Sequence, residues 1–202
     1  MWEVKKLAFS EVKGALSKRL LENHHMLYAG YVNKLNEIEE RLLKADRGLA
    51  NATFSELGEL ARQEPFAAHG IALHESYFGA LTGNGLADAK LPVVKAIARD
   101  FGSFESWLTD FKARGMAARG WVVLAFNLLD GKLYNCSQDA HDKGGRWWCI
   151  PLLVMDVYEH AYFIDYGAKR KDYIEAFFAN INWEVVSSRF DRASKIEKIA
   201  TN

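Results

Sequence analysis

The chain has 202 residues, half of them apolar or aromatic, including 12 Phe, 8 Tyr and 6 Trp. That suits one compact unit or two closely packed lobes, with enough apolar bulk to bury a site away from water. Lys plus Arg and Asp plus Glu balance at 26 each, which argues against a nucleic-acid binder, and no run of about 18 apolar residues marks a membrane span.

Residues 1–7 mix Trp2, Glu3, Lys5 and Lys6 without an apolar h-region, so an unexported, cytoplasmic protein is expected. No proline occurs across 12–44, where Tyr28, Tyr31, Leu35, Ile38 and Leu42 recur at the 3,4 spacing of a helix with one buried stripe. His24 falls on that stripe one turn before Tyr28, and His25 lies about 100° round from it. Residues 46–51 break the pattern. A second helical run is expected over 55–81, kinked or restarted at Pro65, with Ile71, His74, Phe78 and Leu81 on one face and Gly70 a turn before His74. Two such helices joined by a short loop form an antiparallel hairpin.

Gly83, Asn84 and Gly85 within 82–90 mark a boundary between a helical-hairpin domain, 1–85, and an α/β domain, 86–202. Two helices are expected over 92–119, the second capped near Ser103. Runs 121–129 and 132–137 read as strands joined by a tight Asp130-Gly131 hairpin turn, and 146–155 as a third, buried strand. Helices over 170–180 and 183–198 close the chain, with fraying expected at 195–202. Cys136 and Cys149 are too few for a disulfide framework and read as reduced thiols. The fold class is therefore α+β: a long-helix hairpin followed by a lobe with an antiparallel sheet of about three strands and flanking helices.

Asp156 and His160 stand four residues apart at the end of the apolar run 150–155, and they can converge if the backbone there is helical. Val157, Tyr158, Ala161, Tyr162 and Phe163 surround them, which would bury the charge, and a buried carboxylate must be paired or bound to a metal. Singly, His24 or His74 reads as a satisfied core histidine. Together, on facing stripes with Asp156 and His160 available, they make a set of three nitrogens and one oxygen that suits zinc, iron or manganese. Tyr28, Tyr31, Phe78 and Trp121 would supply an apolar shell around it. Two other readings fit these residues. One uses only His74, Asp156 and His160 as a two-histidine, one-carboxylate iron site for oxygen activation; the other is a non-catalytic helical interaction protein with structural histidines.

The run Asp156-Val-Tyr-Glu-His160-Ala-Tyr-Phe-Ile-Asp-Tyr166 closely resembles the signature of the iron/manganese superoxide dismutases. Phe101-Gly-Ser-Phe-Glu, Gly120-Trp121, Asp130-Gly131-Lys132-Leu133 and Asn182-Trp183-Glu184 extend the resemblance over nearly the whole chain. The resemblance implies conversion of superoxide to oxygen and hydrogen peroxide at one iron or manganese ion between the lobes, with His24, His74, Asp156 and His160 as its ligands. Zinc is set aside because dismutation needs a change of valence.

His24 takes the first ligand's place if one residue is deleted before Tyr31-Val32-Asn33. A rival register lays His24 and Tyr28 on the family's His-His-x-x-Tyr segment and leaves Leu20 at the ligand position. Tyr31 resembles the gateway tyrosine. His141 resembles the outer hydrogen-bonding residue entering a space left by Gly70, with Gln138 as second candidate, and Tyr31 and His141 would organise solvent and the incoming anion. Glu159 and Arg170 resemble residues that support a dimer interface, which implies a homodimer or tetramer. The chain departs from the pattern at Tyr28, where a further histidine is usual, at Phe163, where that histidine's tyrosine partner is usual, and at Tyr158 and Phe78, where tryptophans are frequent.

Overall fold

Helix α1 (Lys18–Lys44) begins where the Ser17 hydroxyl accepts the Leu20 N–H. It starts later than residue 12 because Val12 and Leu16 close a tight loop on each other around Gly14, whose φ is 75°. Helix α2 (Glu56–Gly79) is capped by Ser55 and continues through Pro65, so the chain does not restart there. The carbonyl that Pro65 cannot serve belongs to Ala61, on the exposed face, where water can take it. Arg41 near the end of α1 pairs with Glu56 at the start of α2 at 2.8 Å, so the hairpin is antiparallel. The computed structural model describes the backbone of residues 1–200 and the side chains of 1–196; the fraying expected at 195–202 lies partly outside the described residues.

Helices α3 (Pro92–Phe101) and α4 (Phe104–Ala117) follow, the first opening on proline and the second capped by Ser103. Strands β1 (Trp121–Asn127), β2 (Leu133–Gln138) and β3 (Cys149–Asp156) form an antiparallel sheet in the order β2-β1-β3. The β1–β2 hairpin is wider than the tight turn expected, because Gly131 N–H bonds to Asn127 O and Asn127 N–H to Lys132 O. The chain then forms a short helix α5 (Phe163–Tyr166), α6 (Arg170–Ala179) and α7 (Trp183–Ala200). The fold is α+β. No helix among the described residues is long and apolar enough to cross a membrane.

Register decides what faces the hairpin. In the β1–β3 ladder Leu124 pairs with Leu153 but Ala125 with Pro151, so Leu152 is skipped as a bulge. Trp121, Val123 and Ala125 thereby share one face with Asp156, Val154 and Pro151. That face meets α2, where the Trp121 ring lies 5.0 Å from His74. On the opposite face Phe126 packs edge-on to Phe190 of α7 at 5.6 Å. Trp107 anchors the helical layer among Phe104, Phe111, Phe178 and Trp183.

The connection from α2 to α3 is pinned to the α6–α7 turn by Gly83 N–H to Asn180 O and Gly85 N–H to Ile181 O. A Cβ on Gly83 would lie 2.1 Å from Ile181 O, a backbone atom that cannot swing aside. Gly83→Ala is therefore expected to cost about 2–3 kcal/mol, read as a lower urea midpoint with an unchanged slope. A midpoint equal to the parent's would contradict this close packing.

Candidate metal centre

Each of the four side chains is delivered by a different device. His24 sits near the start of α1 and projects toward α2, its ring 5.1 Å from that of His74. On α2, His74 Nδ1–H donates to Gly70 O at 2.6 Å, which fixes the tautomer and leaves Nε2 bare. Asp156 is the last residue of β3; its Oδ1 accepts the Tyr158 N–H at 2.9 Å, and its carbonyl accepts the Tyr173 hydroxyl at 2.6 Å. The backbone beyond Asp156 is not helical as the four-residue spacing suggested. Tyr158 is extended and Glu159–Ala161 forms a single 3-10 turn, which brings His160 back toward the strand end.

Asp156 Oδ2 then lies 3.0 Å from His24 Nε2, 3.2 Å from His160 Nε2 and 3.9 Å from His74 Nε2. One donor atom from each of the four residues falls within 4.8 Å of the others. The side chains of His24, His74 and Asp156 are fully buried, and that of His160 is 28 % exposed. His74 Nε2 has no hydrogen-bond partner. A buried bare nitrogen among two more imidazoles and a carboxylate oxygen is a donor set that fits an iron or manganese ion.

The charges are arranged to match. Burial alone would raise the Asp156 pKa, but the charge and hydrogen bond of His160, with His24, hold it well below the usual carboxylate range. Burial lowers His24 despite the pull of Asp156, and burial takes His74 down to about 3. His160 goes the other way, because Asp156 outweighs its burial and raises it. Asp156 thus favours the charged form of His160, while burial favours the neutral forms of His24 and His74.

Around this cluster, Trp121 Nε1–H donates to His141 Nδ1 at 2.9 Å, so a neutral His141 carries its proton on Nε2. The buried His141 ring lies 4.7 Å from Tyr31 and 6.0 Å from His74. A Cβ on Gly70 would lie 3.0 Å from Tyr31 Cγ, so the Tyr31 ring packs closely against that glycine. Gln138 lines a separate cavity of about 420 Å³ that His141 also borders, and its buried Oε1 has no partner.

Tyr28 turns toward the N-terminal segment, its hydroxyl accepting the Lys5 N–H at 3.0 Å and donating to Glu75 at 2.9 Å. Leu20 is buried in the core and offers no donor atom. Glu159 is exposed, Phe163 is 52 % exposed, and Arg170 donates to Ala118 O at 2.9 Å and to Tyr162 Oη at 3.1 Å. Sequence reasoning missed Tyr173, whose hydroxyl reaches back to the Asp156 carbonyl and which no motif spacing signals. It also missed the bulge, which Pro151 within an apolar run could have suggested.

Residues 89–189 match the family model described as iron/manganese superoxide dismutases, C-terminal domain. The chain is 42 % identical over 187 residues to a protein of Aquifex pyrophilus named superoxide dismutase (Fe), covering 91 % of this chain and 88 % of the relative. It is 39 % identical over 200 residues to one so named in Cupriavidus metallidurans, covering 96 % and 98 %. A Halobacterium salinarum protein named superoxide dismutase (Mn) 1 is 33 % identical over 182 residues, covering 89 % of each chain.

The depressed His74 pKa has a definite sign for stability. As pH falls below 6.5 the unfolded chain takes up a proton that the fold refuses until about pH 3. This contribution is complete above pH 6.5 and is lost toward about pH 3; the depressed Asp156 acts in the same direction, below the ordinary carboxylate range. The raised His160 contributes stability that is complete below 6.5 and lost as pH rises through its folded pKa. The urea midpoint of the metal-stripped protein should therefore fall on acidification from about pH 6.5 to about pH 4. A flat or rising midpoint over that interval would contradict a neutral, buried His74.

Proposed function

The chain belongs to the iron/manganese superoxide dismutases, and on that premise we propose that His24, His74, Asp156 and His160 hold its metal ion while Tyr31 and His141 manage the protons and the anion. The enzyme converts two superoxide ions and two protons into dioxygen and hydrogen peroxide, with one iron or manganese ion per subunit. The observation that carries the ligand assignment is the convergence of three imidazole nitrogens on one buried carboxylate oxygen. It favours the four-residue set over a two-histidine, one-carboxylate site, because His24 Nε2 comes nearest to Asp156 Oδ2.

What a bound iron or manganese ion supplies is a one-electron couple between its trivalent and divalent states. The surrounding residues do the rest. Burial, and after it the Asp156 charge, raises the Tyr31 pKa, so its phenol keeps its proton and can donate to an anion beside it. Burial lowers His141, which stays neutral with the Trp121 indole against Nδ1 and presents an Nε2–H donor. Two proton-bearing groups side by side suit a reaction whose reduced product must gain two protons. The aromatic rings of Tyr31, Phe66, Phe78 and Trp121 narrow the approach to small ions.

We also read the molecule as a homodimer or tetramer. His160 is the least buried of the four, and Phe163 and Ile164 nearby are 52 % and 43 % exposed, an apolar surface that a second subunit would cover. Glu159, exposed beside His160, would reach across such an interface, and Arg170 would support it from within by bracing Tyr162. The division at residues 85 and 86 would place the hairpin and the α/β lobe on either side of the ion. The free thiols Cys136 and Cys149 suit a cytoplasmic location.

The test combines metal analysis with superoxide removal on protein loaded separately with iron and manganese. His24→Ala should abolish metal retention, and unchanged occupancy would return the ligand position to the rival register. His141→Ala should keep the ion and slow turnover by about 10–100-fold, the usual cost of losing an outer-shell partner. An unaltered rate would remove His141 from the mechanism.

A further inference from the structure

Arg189 of α7 donates from Nη1 to Leu152 O at 2.9 Å and from Nη2 to Ser76 O at 3.0 Å. Both acceptors are carbonyls that regular structure leaves unserved. Leu152 is the residue skipped by the β1–β3 ladder, on a strand that forms one edge of the sheet. Ser76 lies in the last turn of α2, where the Ala80 N–H has shifted to Tyr77 O at 3.1 Å. A cation there also meets the negative end of the helix dipole. Room for the guanidinium is left by Gly79, where a Cβ would come within 2.9 Å of Nη2.

These two carbonyls belong to the two elements that deliver buried members of the metal centre. Ser76 shares a helical turn with His74, and Leu152 stands on the strand that ends at Asp156. The regular ladder that holds Asp156 opposite Trp121 ends at this skipped residue. Side chains alternate along a strand, so if the segment 152–156 slipped by one residue to close the bulge, Asp156 would move from the face of Trp121 and Val154 to that of Met155. Met155 points away from α2, toward Gly115 and α4. Edge strands resist such slips weakly, having one ladder instead of two.

We propose that Arg189 is a positioning residue of the metal centre, clamping the bulge at Leu152 to the last turn of α2 and so setting Asp156 against His74. The inference rests on the reading that Asp156 and His74 are ligands. It requires the guanidinium fork, since a lysine ammonium is a point donor that cannot span two carbonyls with fixed geometry.

The test measures Mn(II) affinity by chelator competition and the Mn(II) electron paramagnetic resonance spectrum. The proteins are the parent, Arg189→Met, Arg189→Lys, Gly79→Ala and a control, Trp107→Phe. The control loses the Trp107 Nε1–H bond to Asn135, 3.0 Å long and remote from both carbonyls. All are measured at a temperature where each is folded. Arg189→Met should bind about 10–100-fold more weakly with an altered spectrum, Arg189→Lys should recover part of the affinity, and Trp107→Phe should match the parent. Parental affinity and spectrum in Arg189→Met would overturn the proposal. If that variant does not fold, the same result in both Arg189→Lys and Gly79→Ala would overturn it, and weakened binding in them would support it. A parent that binds no Mn(II) would instead refute the ligand assignment itself.

Discussion

The Asp156 carboxylate, fully buried and without a lysine or arginine beside it among the described residues, is the constraint to which the rest of the structure answers. A negative charge in that position is tolerable only if every lone pair is met. One oxygen is met by the Tyr158 N–H and the other by imidazole nitrogens, while the Tyr173 hydroxyl holds the carbonyl of the same residue. These partners come from α1, the turn after β3 and α6, and His74 of α2 stands 3.9 Å away, so the charge draws four elements and the turn to one point. A metal ion held by these groups would take the place of the direct contacts between Asp156 Oδ2 and the imidazole nitrogens, while the Tyr158 N–H and Tyr173 hydroxyl would still hold the other oxygen and the carbonyl.

The same economy appears in the frame that carries the carboxylate. The ladder that sets the face of Asp156 ends at a single skipped residue in an edge strand, and the last turns of α2 place His74 opposite it. Neither feature is regular secondary structure at its most stable. Both leave carbonyls free, and Arg189 takes one from each. Fold and site meet in these few hydrogen bonds, more than in the large aromatic core around Trp107.

Much of this was legible in the residues. The 3,4 spacing of apolar positions located both long helices because each buries a single stripe, and it put His24 and His74 on those stripes before any contact was known. The dense run from Asp156 to Tyr166 identified the family because so many of its positions are occupied by chemistry-bearing types. The local geometry was less legible. Pro65 looked like a break, yet its cost falls on an exposed carbonyl that solvent can satisfy. The spacing of Asp156 and His160 suggested a helix, whereas a strand end and a 3-10 turn achieve the same convergence. Gly70 signalled that a neighbour comes close but not that the Tyr31 ring would be in contact with it, since a glycine does not say which residue approaches. Long-range partners such as Tyr173 and Arg189 leave no periodic trace at all.

The central claim is that three imidazoles and one carboxylate share a single ion. X-ray absorption at the metal edge of manganese- or iron-loaded protein tests it most directly, because ordered imidazole rings give a multiple-scattering signature that can be counted. The account predicts three imidazoles per ion in the parent protein and two in His160→Ala, if that variant retains its metal. Two imidazoles in the parent would remove one of the three histidines and contradict the four-residue centre.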